Sequence, residues 1–586
     1  MNSGELSVAG GTGPRGRAVR VWLVVAAALV VAAGVEAAGG PAPGAATMTP
    51  LGQVRQYRRA ELALECDAAP ARSLDGDVVV CHWSGPGGAR LRVPAFFDGG
   101  RTWRVRFAPT LAGRWTYRVA TVADGGAEAV LAEGTVDVAP ATGENLLDRH
   151  GGLLKVAEGG RYLTHTDGTP FFWLGDTWWF CPSDLVPIDR SNRPGVESMY
   201  RLLVDTRAGQ GFTVVQMASL GPLSAGRGGS GGFSALFDGR IDPAYWQTYD
   251  RYIDYAASRG IVPVLGFGWG HTELNAPTLE QLQRLWRYVL ARYGASPVTF
   301  LICGEYNLAS VVDESGKRTF GEVDEQRVAK VLALGRFIKD HDPYRRAMTV
   351  HPWYFVEEKR QAWNEPWCDV RMIQGSHMTD GPPPKVYLDL WRRTPTKPLL
   401  EGEVTYEGIH GFTDAVVRRN AYKAVQCGSF GFTYGAHGLW YPTQDENDEK
   451  FKEWGTPIPW WKALEAPGAA QLKHLRAAYE SVEWWRLEPV PAERLSWPAD
   501  GVARRETFVK ADGVKTVLAY VASCKQPSAT PAVALGGAGG TYAATWFDPR
   551  TGQASQLPEP VGAEGGRLRL PPPPDTQDWM LILRRR

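Results

Sequence analysis

Between residues 145 and 490 one pattern returns eight times: a short apolar run, then a longer stretch in which apolar residues recur at helical spacing. The runs are Phe171-Phe172-Trp173-Leu174, Thr213-Val214-Val215-Gln216, Val262-Pro263-Val264-Leu265, Thr299-Phe300-Leu301-Ile302, Ala347-Met348-Thr349-Val350, Val370-Arg371-Met372-Ile373, Pro398-Leu399-Leu400 and Gly431-Phe432-Thr433-Tyr434. Strands this short and apolar are buried on both faces, as in a parallel sheet covered by helices. The clearest helix carries Leu279, Leu282, Leu285, Trp286, Val289 and Leu290 on one stripe, with Arg284, Arg287 and Arg292 on its other faces. Eight such units predict an α/β fold of the (β/α)8 or TIM-barrel type, whose site is assembled at the C-terminal ends of the strands. A doubly wound sheet is the rival, but no GxGxxG follows an early strand and no GxxxxGK[ST] occurs.

The chain has 586 residues, more than one hydrophobic core usually organises. Residues 53–140 carry short alternating runs, among them Leu91 to Phe97, Trp103 to Phe107 and Trp115 to Val119, broken by Asp98-Gly99-Gly100 and Ala112-Gly113. Residues 500–586 return to that pattern, with the turn Asp548-Pro549-Arg550-Thr551-Gly552 inside it. Both flanks are expected to be β-sandwiches. Ahead of them, Arg15, Arg17 and Arg20 precede an apolar run from Val21 to Val35 and small residues at Ala37, the layout of a signal peptide over residues 1–37, with a linker over 38–52. An uncleaved anchor is the other reading, although the run is shorter than the roughly 20 residues that span a bilayer. The expected location is therefore secreted, periplasmic or on the cell surface, without stable membrane insertion after cleavage. Lys plus Arg at 64 against Asp plus Glu at 63 gives no field that would gather nucleic acid. The seven cysteines include no CxxC pair. Cys66 and Cys81 share the first β-region and are either a disulfide or two buried thiols.

A barrel demands polar and aromatic residues just after its strands, and the sequence supplies them. The first run leads into Asp176, Thr177, Trp178 and Trp179, the second ends in Gln216, and the third continues to Trp269 and His271. Glu305 and Asn307 follow the fourth, His351 and Trp353 the fifth, and Gln374 and His377 the sixth. The seventh runs through Glu401 and Glu403 to Tyr406 and Glu407, and the eighth gives Tyr434 and His437. Indole and phenol faces stack on the C–H faces of sugars while amides, imidazoles and carboxylates bind hydroxyls, so this set suits a carbohydrate. With 23 tryptophans, any one of them is more often core than platform. Histidines ring the mouth without HExxH or HxH spacing, so neither a metal nor another cofactor is expected.

Glycoside hydrolysis needs one carboxyl group that donates a proton and a second, ionised one that attacks or activates water. Glu305 and Glu403 end strands that reach the mouth from different sides and can flank a bond held between them. Glu401 complicates this choice, because residues two apart in a strand share a face and it could point into the barrel beside Glu403. Asp176 either binds substrate hydroxyls or caps the turn after it. Glu407 sits above the site or in a loop salt bridge. A non-catalytic polysaccharide-binding or matrix-attached protein is the alternative function, and the presence of both carboxylates argues against it.

Phe172-Trp173-Leu174-Gly175-Asp176-Thr177-Trp178, together with the stretch from Lys397 through Glu401-Gly402-Glu403-Val404-Thr405-Tyr406-Glu407-Gly408-Ile409, resembles the apiosidase-like glycoside hydrolases, family 140, once domain of unknown function 4038. The resemblance implies that Glu403 is the nucleophile of a retaining reaction and Glu305 its acid/base. Members often carry Gly-Gly-Asp where this chain has Cys303-Gly304-Glu305, a departure that bears on apiose specificity. Ala95-Phe96-Phe97-Asp98-Gly99 with Trp103 to Phe107 resembles the N-terminal β-domain of unknown function 5060 type. Trp546-Phe547-Asp548-Pro549 with Asp578-Trp579 is similar to a C-terminal domain named for collagen binding.

Overall fold

The computed structural model describes residues 48–49, 52–217, 232–270, 273–312, 318–321, 324–353, 362–498, 503–526, 528–537 and 539–586. Segment 1–37, nearly all of the 38–52 linker and His271 lie outside the described residues. Among the described residues no helix is long and apolar enough to cross a membrane.

Eight parallel strands form the central sheet: β1 (Trp173–Thr177), β2 (Val214–Met217), β3 (Val262–Leu265), β4 (Thr299–Gly304), β5 (Met348–His351), β6 (Arg371–Ser376), β7 (Leu399–Val404) and β8 (Ser429–Tyr434). Their ladders run β5-β4-β3-β2-β1-β8-β7-β6, so the chain curls into a nearly closed barrel. At the remaining seam, Asp369 N donates to Met348 O (3.0 Å) and Thr349 Oγ1 to Val370 O (2.9 Å) in place of a regular ladder. Every strand residue is buried except Ser376, which is half-buried, and this accounts for the uninterrupted apolar runs.

The main helices around the sheet are α1 (Met199–Gly209), α2 (Pro243–Ser258), α3 (Leu279–Tyr293), α4 (Glu325–His341), α5 (Pro384–Arg392), α6 (Asp414–Gln426) and α7 (Pro467–Glu480). After β5 the described residues hold a 3-10 turn at Ala362–Asn364. Helix α3 begins at a reciprocal capping box between Thr278 and Gln281, and its expected stripe is buried from Leu282 to Leu290, with Leu279 half-buried. One of its arginines departs from expectation. Arg292 is wholly buried and pairs with Asp250 of α2 (2.7 Å) and Asp98 (2.9 Å), while Arg106 also reaches Asp250 (2.5 Å). Burial opposes the charge of Asp250, but hydrogen bonds and charges from Arg106 and Arg292 hold it well below the usual carboxylate range. A buried charge cluster of this kind fixes how the N-terminal strands sit on α2 and α3.

Those strands form two sheets, one ordered Met48–Thr49, Ala60–Glu65, Thr102–Phe107, Phe96–Gly99 and the other Val54–Arg55, Glu128–Ala139, Gly113–Val122, Val79–Ser84, Arg90–Pro94. Between them Trp83, Trp103, Val105, Phe107 and Trp115 share one core, with Trp83 stacked on Phe107 at 3.8 Å. Cys66 and Cys81 are separate buried thiols, not a disulfide.

The C-terminal strands depart from the expected pair of sheets, because their ladders join all ten into one sheet. Alternate residues of its central strands serve two cores. Val517, Ala519, Val521, Leu581 and Leu583 face the region's own interior. Leu518, Tyr520, Met580 and Ile582 belong to the core that includes the barrel and its helices.

Candidate active site

Three non-glycine residues with left-handed backbones cluster where strands end: Glu305 after β4 (φ 43°), Ser376 closing β6 (φ 66°) and Thr405 after β7 (φ 48°). Such geometry costs on the order of 1–3 kcal/mol per residue and persists only where neighbours enforce it. Thr405 is held by its own hydrogen bond to Met378 O (3.0 Å) and by one from Asn420 Nδ2 (2.9 Å). The glycine before Glu305 is required for another reason. A Cβ on Gly304 would lie 2.5 Å from the Trp269 ring, which covers the backbone there.

These turns bring Glu305, Gln374, His351, His377 and Glu403 together. Gln374 Nε2 donates to Glu305 Oε1 (2.7 Å) and to Glu403 Oε1 (3.2 Å), one amide spanning both carboxyls. His377 Nε2 lies 3.1 Å from Glu403 Oε1, and His351 Nε2 lies 3.2 Å from Oε2. Burial raises the pKa of both acids, yet their environments then drive them apart. At Glu403 the hydrogen bonds and charges of the two imidazoles overcome burial and hold the carboxyl well below its usual range. At Glu305 the charge of Glu403 adds to burial, Gln374 and the imidazoles offset only part of it, and the carboxyl stays raised. One group is thus poised to be ionised while its neighbour keeps a proton, the pairing that acid/base chemistry requires.

Glu401 does not share the mouth. The β6–β7 register runs Ile373 with Glu401, then Gln374 with Glu403, and the β7–β8 register also shifts between Leu399 and Glu401. This bulge breaks the strict two-residue alternation. Gly402 turns its carbonyl to Gln216 Nε2 (2.9 Å), while Glu401 Oε2 accepts from Tyr387 of α5 (2.6 Å), behind the barrel wall.

Five other sequence candidates are committed to the scaffold. Asp176 is fully buried and accepts from Arg207 Nε of α1 (2.6 Å), Trp178 Nε1 (2.8 Å) and Thr177 N (2.8 Å), so it neither faces a substrate nor acts as a simple turn cap. Trp178 is correspondingly core. Glu407 accepts from Tyr434 OH (2.6 Å) and from Gly468 N at the start of α7 (3.0 Å), which places Glu407 and Tyr434 at a helix N-terminus and, among the described residues, in no salt bridge. His437 is buried with Nε2 3.3 Å from Gly455 O, pinning the loop after β8.

The remaining candidates stand in or just after β2, β3, β4, β5 and β7. Asn307 Oδ1 accepts from Trp353 N (2.7 Å), joining the loops after β4 and β5. Its Nδ2 and Gln216 Oε1 are buried with no hydrogen-bond partner among the described residues. Tyr406 lies beside Glu403, whose charge adds to burial in raising its phenol pKa. Trp269 meets Trp179 edge to face at 5.1 Å.

Of the two tryptophans after β1, Trp179 and not Trp178 reaches this cluster. It stands edge-on to His351 at 5.3 Å, and residue parity after β1 was the signal that could have singled it out. Trp454 was missed. It packs edge-on to His377 (5.2 Å) and nearly parallel to His410 (5.7 Å), from a loop with no sequence periodicity. Among the described residues no group of three His, Cys, Asp or Glu side chains is arranged to hold a metal ion.

The family model of the apiosidase-like catalytic domain matches residues 157–486, and a domain of unknown function, DUF5060, matches residues 53–122. No curated protein matches the chain. Among similar solved structures, one described as a glycoside hydrolase is 24% identical, with 74% of this chain and 96% of that one covered and a TM-score of 0.58. A glycoside hydrolase of family 5 from Bacteroides vulgatus ATCC 8482 is also 24% identical, covering 74% and 93% at a TM-score of 0.59. Another structure from the same organism is 18% identical, covering 91% of this chain and 100% of its own at a TM-score of 0.66. Likeness at these identities concerns the fold. The catalytic family model, in contrast, spans more than half of the sequence and encloses both mouth carboxylates, and the chain belongs to the apiosidase-like glycoside hydrolases.

Proposed function

We propose that the protein is an exported, retaining glycoside hydrolase of a plant-type or other complex polysaccharide or oligosaccharide, with Glu403 as nucleophile and Glu305 as acid/base. The observation that carries this reading is the single Gln374 amide between two carboxyls of opposite pKa direction. Retention needs carboxyls about 5–5.5 Å apart, whereas inversion needs roughly 6.5–9.5 Å to admit a water between sugar and base. Gln374 Nε2 lies 2.7 Å from one Oε1 and 3.2 Å from the other, so these oxygens are separated by no more than the sum of those distances, short of the inverting range.

In the first step the Glu305 proton passes to the glycosidic oxygen as Glu403 attacks the anomeric carbon and the leaving alcohol departs. Esterification removes the charge of Glu403, and with it one cause of the raised pKa of Glu305. Glu305 can then remain ionised and take a proton from the water that frees the sugar. His351 and His377 hold Glu403 in its attacking orientation, Trp179 and Trp269 wall the site, and Gln216 and Asn307 offer polar atoms to hydroxyls. Export follows from the basic, apolar and small-residue order of segment 1–37.

Proton NMR of the first product released from a panel of aryl glycosides and plant polysaccharides tests the reading. The expected product keeps the anomeric configuration of the substrate. Inversion would overturn the mechanism, and glycan binding without turnover across the panel would favour a binding protein instead.

A further inference from the structure

We infer that Glu401 is a positioning residue for Glu403, acting as a neutral carboxyl that fixes the bulge between them. The inference rests on the nucleophilic role proposed for Glu403. Glu401 is fully buried, and among the described residues none forms an ion pair with it. Its two oxygens instead make three hydrogen bonds that converge on the site from behind. Oε1 accepts from the backbone N–H of Glu403 (3.2 Å) and from that of Gly375 (3.1 Å), the residue after Gln374. Oε2 lies 2.6 Å from the hydroxyl of Tyr387 on α5. One carboxyl therefore anchors the backbones of both partners in the Gln374–Glu403 contact and ties them to the helix layer.

The fit leaves little freedom. A Cβ on Gly375 would lie 2.8 Å from Glu401 Oε2, so glycine is needed for the backbone to come this close. Gly402 carries the bend between the two glutamates, with Met372 Sδ 2.7 Å from where its Cβ would be. A charge on Glu401 would sit without an ion-pair contact among the described residues, two residues from a carboxylate that must itself be ionised, and a neutral group avoids this. Burial pushes its pKa up to about 8, with Tyr387, the two backbone donors and Lys423 on α6 opposing. In the neutral form Oε1 takes both N–H groups, and Oε2, which accepts from the Tyr387 hydroxyl when ionised, carries the proton and can donate to that hydroxyl instead. An amide can copy that pattern, with its oxygen toward the backbone and its NH2 toward Tyr387.

The test compares Glu401→Gln, Glu401→Ala, Tyr387→Phe and Glu403→Gln by steady-state kinetics on one aryl glycoside. Glu401→Gln should keep kcat within about threefold of wild type, because it reproduces the neutral group. Glu401→Ala should lower kcat by roughly a hundredfold with little change in KM, because substrate contacts survive while the nucleophile is misplaced. Tyr387→Phe should lower kcat by about threefold to tenfold, and it carries the test if Glu401→Ala fails to fold. An inactive Glu401→Gln would mean that the charge matters and would overturn the neutral role. Full activity in Glu401→Ala, or in Tyr387→Phe where that variant carries the test, would overturn the positioning role. Turnover retained by Glu403→Gln would sink the underlying assignment instead, so the two failures can be told apart.

Discussion

The two halves of the barrel mouth hold similar residues and use them differently. Around β1 and β8, Asp176, Glu407, Tyr434 and Arg207 satisfy one another or a helix N-terminus: Asp176 accepts three hydrogen bonds, and Glu407 is held by a tyrosine and a backbone amide. Around β4, β6 and β7, Glu305 and Glu403 share the Gln374 amide, and their surroundings push their pKa values in opposite directions. The difference lies in what partners each acid. A carboxylate saturated by fixed donors is scaffolding, even at the end of a barrel strand. A pair that shares one neutral donor and competes for one proton is chemistry.

The comparison can be broken most easily from its reactive side. Glu403→Gln should lower kcat by at least roughly a thousandfold while leaving the thermal midpoint close to wild type, since no covalent intermediate can form on an amide. A tenth of wild-type turnover in this variant would put the nucleophile elsewhere. Glu305→Gln should cost about 10²–10⁴-fold on substrates with poor leaving groups and far less on activated aryl glycosides, which need no proton.

The pH profile sharpens that assignment. Glu305 donates only while protonated and its pKa is raised, so activity should be present below that value and fall as pH rises through it. Glu403 is depressed, so its ionised form should persist below the usual carboxylate range as pH falls. The Glu305→Gln profile on an activated substrate should lose the alkaline fall, and a fall that survives the substitution would belong to another group.

The scaffolding side should fail in another currency. Asp176→Asn leaves Arg207 buried and unpaired, and denaturant unfolding should report a loss of about 3–5 kcal/mol while KM of the folded fraction stays near wild type. A raised KM with unchanged stability would place Asp176 in the binding site after all. The smallest effect should come from Gly304→Ala, where the added methyl meets the Trp269 ring. Overpacking of about 1–3 kcal/mol should then come with a higher KM, measured on the same substrate, as Trp269 shifts.

All eight strands were legible because burial on both faces leaves uninterrupted apolar runs, and their ends were off by only a few residues. The placement of Glu305 and Glu403 at the ends of β4 and β7 was legible too, because strand ends in a barrel are where side chains leave the core. What could not be read was local geometry. Glu401 and Glu403 obey the two-residue rule on paper, and only the bulge turns one of them outward. Asp176 precedes its partner Arg207 by a whole loop and helix, so nothing nearby marked it as paired. Trp178 and Trp179 differ by a single step of parity, and Trp454 comes from an irregular loop. Arg292 follows the helical spacing of its charged neighbours yet ends in a seam that depends on another region of the chain.

The C-terminal sheet has a consequence for how this molecule can be cut and recombined. Gln426, closing α6 after β7, donates to Phe508 O and Leu518 O (both 3.1 Å), and Arg418 of the same helix pairs with buried Asp578 (2.6 Å). Tyr422 stacks on Tyr520 at 4.6 Å. The strand that carries Leu518 and Tyr520, Thr516–Val521, lies inside its sheet, between Thr507–Asp512 and Trp579–Arg585. The sheet is therefore an outer wall of the catalytic unit, not a bead on a string. A truncation that spares every mouth residue would still strip the barrel of apolar cover and strand a buried arginine. Grafting the barrel into another architecture requires carrying this wall along or rebuilding the helix surface that it seals.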